Sequence, residues 1–382
     1  MKIVLAPDKF RGSLTALEVC QAMSEGIRQV HPEAEIVSLP MADGGEGTAA
    51  ILTTNSGGQM HRTTVADPLG RAVEAQYGLS ANKTTAFIEM ASASGATLLQ
   101  NHERNPLKTT TYGTGQLIQA AAAQGASHIV LGIGGSATND GGIGMAAALG
   151  WQFLNALGHE IPPTAEYLFQ IEKIIPPATS LDINVEVACD VNAPLCGPMG
   201  ASHIYGPQKG ATPQMVEILD SGLQHLADVI KRDFGKDLAN VAGAGAAGGL
   251  GFGALFFLNA ALKEGVSIVM EQTHFEQHLT NADLILTGEG KIDHQTLQGK
   301  LIAGIVQAGR RHGVPTVAIC GALLASPQDL QQLGLAYATS IISRPMTLDE
   351  ALQTAHQGVV DAVCHLLHFW GNSLPKTSPT NA

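Results

Sequence analysis

Seven stretches of this chain set charged or small polar side chains among glycines: PDKFRGS (7–13), MADGGEG (41–47), GIGGSATNDGG (132–142), ACDVNAPLCG (188–197), GPQKGA (206–211), GAGAAGGLG (243–251) and TGEGKID (287–293). Successive backbone N–H groups in such turns form anion-binding nests, and a helix that follows adds its positive end. Glycine lets the main chain approach a phosphate with no Cβ in the way. Lys9, Arg11, Lys209, Lys291 and Lys300 fall in or beside these stretches, in a chain with only 21 Lys plus Arg. A cation beside a phosphate nest neutralises oxygens in transit. Asp43, Glu46, Asp140, Asp190, Glu289 and Asp293 add hard carboxylates, suited to Mg2+ or to accepting a hydroxyl proton. Anion donors beside hard carboxylates point to phosphoryl transfer.

Each residue also has a plainer reading. Asp8, Asp43 and Asp140 suit Asx turns or caps, and Ser13 and Ser136 suit helix caps. What favours chemistry is the set, since turns built only for structure rarely need so many charges. Other motifs fall short. GIGGSA (132–137) fits the dinucleotide fingerprint in its G-x-G-x-x-A form, but no acidic residue stands about 20 positions on to hold a ribose. An NAD(P)-dependent oxidoreductase acting on a small hydroxy acid is therefore the alternative function. No G-x-x-x-x-G-K-[ST] occurs, and GGSAT lacks the closing glycine of a nucleophile elbow. Cys189, Cys196 and His203 match no common zinc spacing.

The elements that position these stretches follow from periodicity. KIVLA (2–6) and EIVSL (35–39) read as strands, with a helix between them opened by Thr15 and Glu18 at capping-box spacing. Segments from His61 to Met90 alternate like antiparallel hairpins, and SHIVLG and NVEVACD supply further strands. ADLILT (282–287), PTVAIC (315–320) and AYATSIIS (336–343) restore the strand–helix rhythm. The expectation is a two-domain α/β protein: a flavodoxin/Rossmann-like doubly wound parallel-sheet domain, 1–60 plus 280–382, interrupted by a mixed α/β domain, 61–279. Ligands in such sheets bind beyond the strands' carboxyl ends. The active site is accordingly expected in the cleft between the domains.

Composition sets the limits. The chain has 382 residues, is 45% hydrophobic and carries a net charge of −12, with no basic stripe for nucleic acid. Its five cysteines at irregular spacing and a start without a signal-peptide pattern indicate a cytoplasmic protein with reduced thiols. Residues 241–262 lack charge over a bilayer's length, but their six glycines favour a loop feeding a buried helix. No membrane or nucleic-acid partner is expected, and the oligomeric state is not legible.

Taken in order, APDKFRGSL, ADGGEGT, GIGGSATNDGG, ACDV, GPQKGA, GAGAAGG and TGEGKID resemble the bacterial glycerate kinases of type I, over nearly the whole chain. The resemblance implies ATP-dependent phosphorylation of D-glycerate with Mg2+, in glyoxylate or sugar-acid metabolism. The product it favours is 2-phosphoglycerate, with 3-phosphoglycerate as the other possibility. Lys9-Phe10-Arg11 departs from relatives that often show Ser-Tyr-Lys or Ser-Phe-Lys, while keeping a cation at position 11.

On this basis the nucleotide is expected on Gly134, Gly135, Ser136, Asn139, Asp140, Gly141, Lys209, Gly245, Gly248 and Gly249. Glycerate is expected near Asp8, Lys9, Arg11, Ser13, Asp43, Gly44, Gly45 and Glu46, with Arg11 or Lys291 on its carboxylate. Asp190 is the first choice of general base and Asp293 the rival; the other of the two, with Glu289, holds Mg2+.

Overall fold

Apolar runs bounded by glycine and proline form thirteen strands among the described residues of the computed structural model, 1–297 and 300–373. Side chains 295, 297, 300 and 371–373, including that of Lys300, lie outside the description. The strands are β1 Lys2–Pro7, β2 Glu35–Ser38, β3 Gln59–Ala66, β4 Ala72–Leu79, β5 Thr85–Glu89, β6 His128–Gly132, β7 Gln152–Leu154, β8 Lys173–Ile175, β9 Asn184–Ala188, β10 Ala261–Lys263, β11 Leu284–Ile292, β12 Thr316–Leu323 and β13 Tyr337–Ser340. The chain divides into two units.

Met1–Asp43 and the chain from Val269 onward form the first unit. Its sheet runs β2-β1-β11-β12-β13, with every neighbouring pair parallel. That is the flavodoxin-like order, and its switch point lies between β1 and β11. Ile3, Leu5, Leu286 and Ile319 face the helices Ala16–Val30 and Ala355–Ser373. Ala318, Cys320 and Ile292 pack with Lys300–His312 and Pro327–Leu333. The helix Ala16–Val30 opens on the expected capping box: Thr15 Oγ1 accepts from the Glu18 N–H at 3.2 Å, and Glu18 accepts from the Thr15 N–H at 2.7 Å.

TGEGKID, expected as a loop, is mostly strand, because β11 continues to Ile292 and stays paired with β12 as far as Leu323. Its glycines serve close approach. A Cβ on Gly288 would lie 2.1 Å from the Ile319 carbonyl, and one on Gly290 would lie 3.1 Å from the Arg11 nitrogen. The turn after β1 thus lies over the far half of β11.

Gly44–Ile268 form the second unit. Its sheet runs β10-β9-β6-β5-β4-β3; β5, β6, β9 and β10 are parallel, and β3, β4 and β5 form the expected antiparallel hairpins. A short pair, β7 and β8, stands separately. The helix Thr48–Asn55, placed with the first domain by the sequence, belongs to this unit. It sits so close to β4 that a Cβ on Gly78 would overlap Thr53 Oγ1. The divisions consequently fall after Asp43 and Ile268, not after 60 and 279. Residues 243–257 make a glycine turn into the buried helix Ala246–Phe257, with Ala247, Gly248 and Gly249 left-handed at its start. No helix among the described residues is long and apolar enough to cross a membrane.

Candidate active site

In the first unit, the register pairs Pro7 with Gly288, so Asp8 and Glu289 end up side by side at the switch point. The Asp8 N–H donates to the Gly288 carbonyl at 2.8 Å. Burial pushes the Asp8 carboxyl up to about 6, with Asp43 adding repulsion. Burial likewise pushes Glu289 up to about 7, reinforced by Asp8, Asp293 and Asp43, although the Thr296 hydroxyl donates to its Oε1 at 2.8 Å. Four carboxyls within electrostatic reach, two of them resisting ionisation, are a strong local demand for positive charge.

Cations border the cluster. Lys291 Nζ lies 2.6 Å from Asp293 Oδ2, and Arg11 is exposed. The Lys9 N–H donates to Asp8 Oδ1 at 2.6 Å, and the Ser13 hydroxyl donates to the Phe10 carbonyl at 3.1 Å. Phe10, 2% exposed, pins this turn to the core.

In the second unit, Glu89, Gly132, Ala188 and Lys263 stand in one row across the carboxyl ends of β5, β6, β9 and β10. Glu89 Oε1 accepts from the N–H groups of Gly47 and Ala49 at 2.9 and 3.0 Å, so it occupies the start of the helix Thr48–Asn55. Asp190 is exposed, and its Oδ1 accepts from the Gly265 N–H at 3.2 Å. Gly44 must be glycine twice over: its φ is +88°, and a Cβ there would lie 2.8 Å from Gly265 Cα. Gly45 holds the Thr48 hydroxyl at 2.6 Å through its carbonyl, and Glu46 is exposed.

The expected nucleotide residues separate into two groups. Gly134 and Gly135 are exposed beyond β6 and Ser136 is half-buried; a Cβ on Gly134 would meet nothing within 4 Å. Asn139, Asp140, Gly141, Lys209, Gly245, Gly248 and Gly249 are buried in protein. Their glycines let two backbones touch. A Cβ on Gly248 would lie 2.0 Å from the Thr138 carbonyl and one on Gly249 2.9 Å from Gly141 Cα, while the Gly141 N–H donates to the Gly248 carbonyl at 3.0 Å. A Cβ on Gly245 would lie 2.1 Å from the Pro194 carbonyl.

Sequence reasoning missed three residues. Glu89 looks like the polar end of an apolar strand, Thr296 like a turn residue after Asp293, and Thr111 like part of a helix start. Only the second leaves a sequence trace: the Asp293 N–H donates to Thr296 Oγ1 at 3.1 Å, a local turn three residues long. Among the described residues no three His, Cys, Asp or Glu side chains are already drawn together as a metal-binding group. The first unit's acidic cluster still suits a hard divalent cation, since its oxygens repel one another and a bound cation would favour the ionised forms that burial resists.

A sequence model described as the glycerate kinase family matches residues 3–371. The chain is 45% identical over 365 residues to a glycerate kinase from Haemophilus influenzae, covering 94% of this chain and 96% of the relative. It is 43% identical to the glycerate 2-kinase of Escherichia coli, covering 95% and 96% of the two chains. A crystal structure from Salmonella typhimurium LT2, of a protein assigned as glycerate kinase 2, superposes with a TM-score of 0.89 at 43% identity, covering 98% of this chain and all of that one. The chain belongs to the glycerate kinase family.

Proposed function

We propose that this protein transfers the γ-phosphoryl group of ATP to D-glycerate in the presence of Mg2+, forming 2-phosphoglycerate. The observation that carries the reading is the cluster of Asp8, Asp43, Glu289 and Asp293 at the switch point, bordered by Arg11 and Lys291. Glycerate is a small anion, and the exposed Arg11 guanidinium suits its carboxylate; Lys291 already pairs with Asp293. Asp8 and Asp43 offer acceptors for its hydroxyls. The exposed amides of Gly134, Gly135 and Ser136 suit the phosphate tail of the nucleotide. Mg2+, when bound by Glu289 and Asp293, supplies charge neutralisation for phosphate oxygens.

Asp190 is the general base in this reading: its carboxylate is exposed and its Oδ1 accepts from the Gly265 N–H. Asp293 is its rival, and would exchange roles with it at the metal. Glycerate bound in one orientation exposes one hydroxyl, and the E. coli relative's name favours the 2-hydroxyl. An assay coupled to ADP release, with D-glycerate, ATP and Mg2+, tests the reaction, and phosphorus NMR of the product tests the position. ADP release that depends on D-glycerate and Mg2+, with a 2-phosphate signal, supports the proposal. ADP release indifferent to glycerate overturns it.

A further inference from the structure

Lys209 and Asp140 are ionisable, yet their relative exposures are 3% and 0%; burial pushes the Asp140 carboxyl up and the Lys209 ammonium down to about 7. Asp140 accepts four hydrogen bonds: from the Thr111 N–H and hydroxyl at 2.7 and 2.8 Å, from the Gly142 N–H at 3.1 Å and from the Gly144 N–H at 3.2 Å. Three of these converge on Oδ2 and one reaches Oδ1, so the carboxyl is committed chiefly to the main chain and hydroxyl around it. Lys209 Nζ donates to the Thr138 carbonyl at 2.7 Å, close enough to Asp140 for the two charges to stabilise each other. Neighbouring bonds continue the grip. The Thr109 hydroxyl holds the Ala137 carbonyl at 2.9 Å, and the Asn139 amide donates to Ser202 Oγ at 3.0 Å. Residues 137–142 are thus held from several sides, whereas Gly134 and Gly135, just upstream, face outward.

A buried ionisable group is costly unless it is paired and hydrogen-bonded, and the bonds that satisfy these two run to the turn itself. Here the held object is the second half of the very turn that presents the amides. We infer that Lys209 and Asp140 touch no ligand and are positioning residues, a buried pair whose hydrogen bonds fix residues 137–142 and so keep Gly134, Gly135 and Ser136 displayed at the sheet edge. The inference rests on the reading that these three residues receive the nucleotide phosphates. Lys209 is closed off from solvent and already spends an N–H on the Thr138 carbonyl.

Steady-state kinetics and thermal unfolding of Lys209→Met test it. The expected result is a lower melting temperature, a KM for ATP raised roughly three- to tenfold, kcat within about twofold of wild type and an unchanged KM for glycerate, the pattern of lost ground-state positioning. A fall in kcat of about 100-fold or more with an unchanged melting temperature marks direct contact with the reacting phosphate and overturns the inference. A lower melting temperature with unaltered kinetics reduces the couple to plain structure and also overturns it. Should the variant not fold, acetic anhydride labelling of the wild-type protein decides, read by mass spectrometry with and without Mg2+ and a non-hydrolysable ATP analogue. Slow Lys209 labelling that nucleotide leaves unchanged supports the couple; labelling as fast as the exposed Lys231, and blocked by nucleotide, overturns it. If wild-type enzyme shows no glycerate-dependent turnover, the proposed reaction fails by itself, while the labelling still judges Lys209.

Discussion

The two units use the same ingredients, glycine with aspartate and lysine, to opposite ends. At the switch point of the first, Asp8, Asp43, Glu289 and Asp293 crowd together, and burial plus mutual repulsion holds two of them back from ionising. In the interior of the second, Asp140 is buried more deeply still and burial raises its carboxyl too, but four hydrogen-bond donors close around it and oppose that rise. The glycines differ in the same way. Gly134 has open space where its side chain would be, whereas Gly248 has the Thr138 carbonyl there. Residue type alone does not separate a group that waits for a ligand from one that holds a loop. The balance of donors and acceptors around the group does.

The largest way to break this contrast is at the proposed base. Asp190→Asn is expected to lower kcat by roughly 100-fold or more with cooperative unfolding retained, because the carboxylate is exposed and proton acceptance is the role proposed for it. Near-normal turnover in the coupled assay would hand the role to Asp293. Next comes the backbone contact. Gly248→Ala places a Cβ 2.0 Å from a carbonyl at a φ of +70°, and is expected to cost about 2–5 kcal/mol in urea unfolding, with any activity loss tracking the unfolded fraction. A smaller effect sharpens the substrate side. Arg11→Ala is expected to raise the KM for glycerate about tenfold while leaving the KM for ATP alone, since an exposed charge-assisted contact contributes on the order of 1–2 kcal/mol. An effect confined to ATP would exchange the placement of the two ligands.

Much of this was legible in the sequence. Apolar runs bounded by glycine and proline located the strands, Thr15 and Glu18 announced their helix, and the parallel rhythm placed the charged stretches at strand ends. The ordered resemblance pointed to the family that the comparisons then established. Other features depend on contacts no local pattern encodes. GEGKI continues a strand despite its glycines because β12 and the turn after β1 approach too closely for side chains. The burial of Asp140 and Lys209 is not legible in the sequence because charge normally implies exposure, and their surroundings depend on Thr111 and Thr138, distant in sequence from at least one of the two. The division after Asp43 was hidden for a similar reason: the helix that follows is fastened by Glu89, some forty residues away.

The claim that the first unit's carboxylates await a cation is tested most directly by thermal unfolding of wild type and Glu289→Gln across pH, with and without Mg2+. Glu289 has its folded pKa raised to about 7 from 4.5, so the stability its protonated form contributes is complete below 4.5 and is lost as pH rises through 7. Without Mg2+ the two proteins should therefore unfold alike near pH 4.5, and the glutamine variant should be the more stable at pH 8. Adding Mg2+ at pH 8 should raise the melting temperature of wild type and close that gap, because the ion replaces the missing proton. A wild type as stable as the variant at pH 8 and indifferent to Mg2+ would contradict the account.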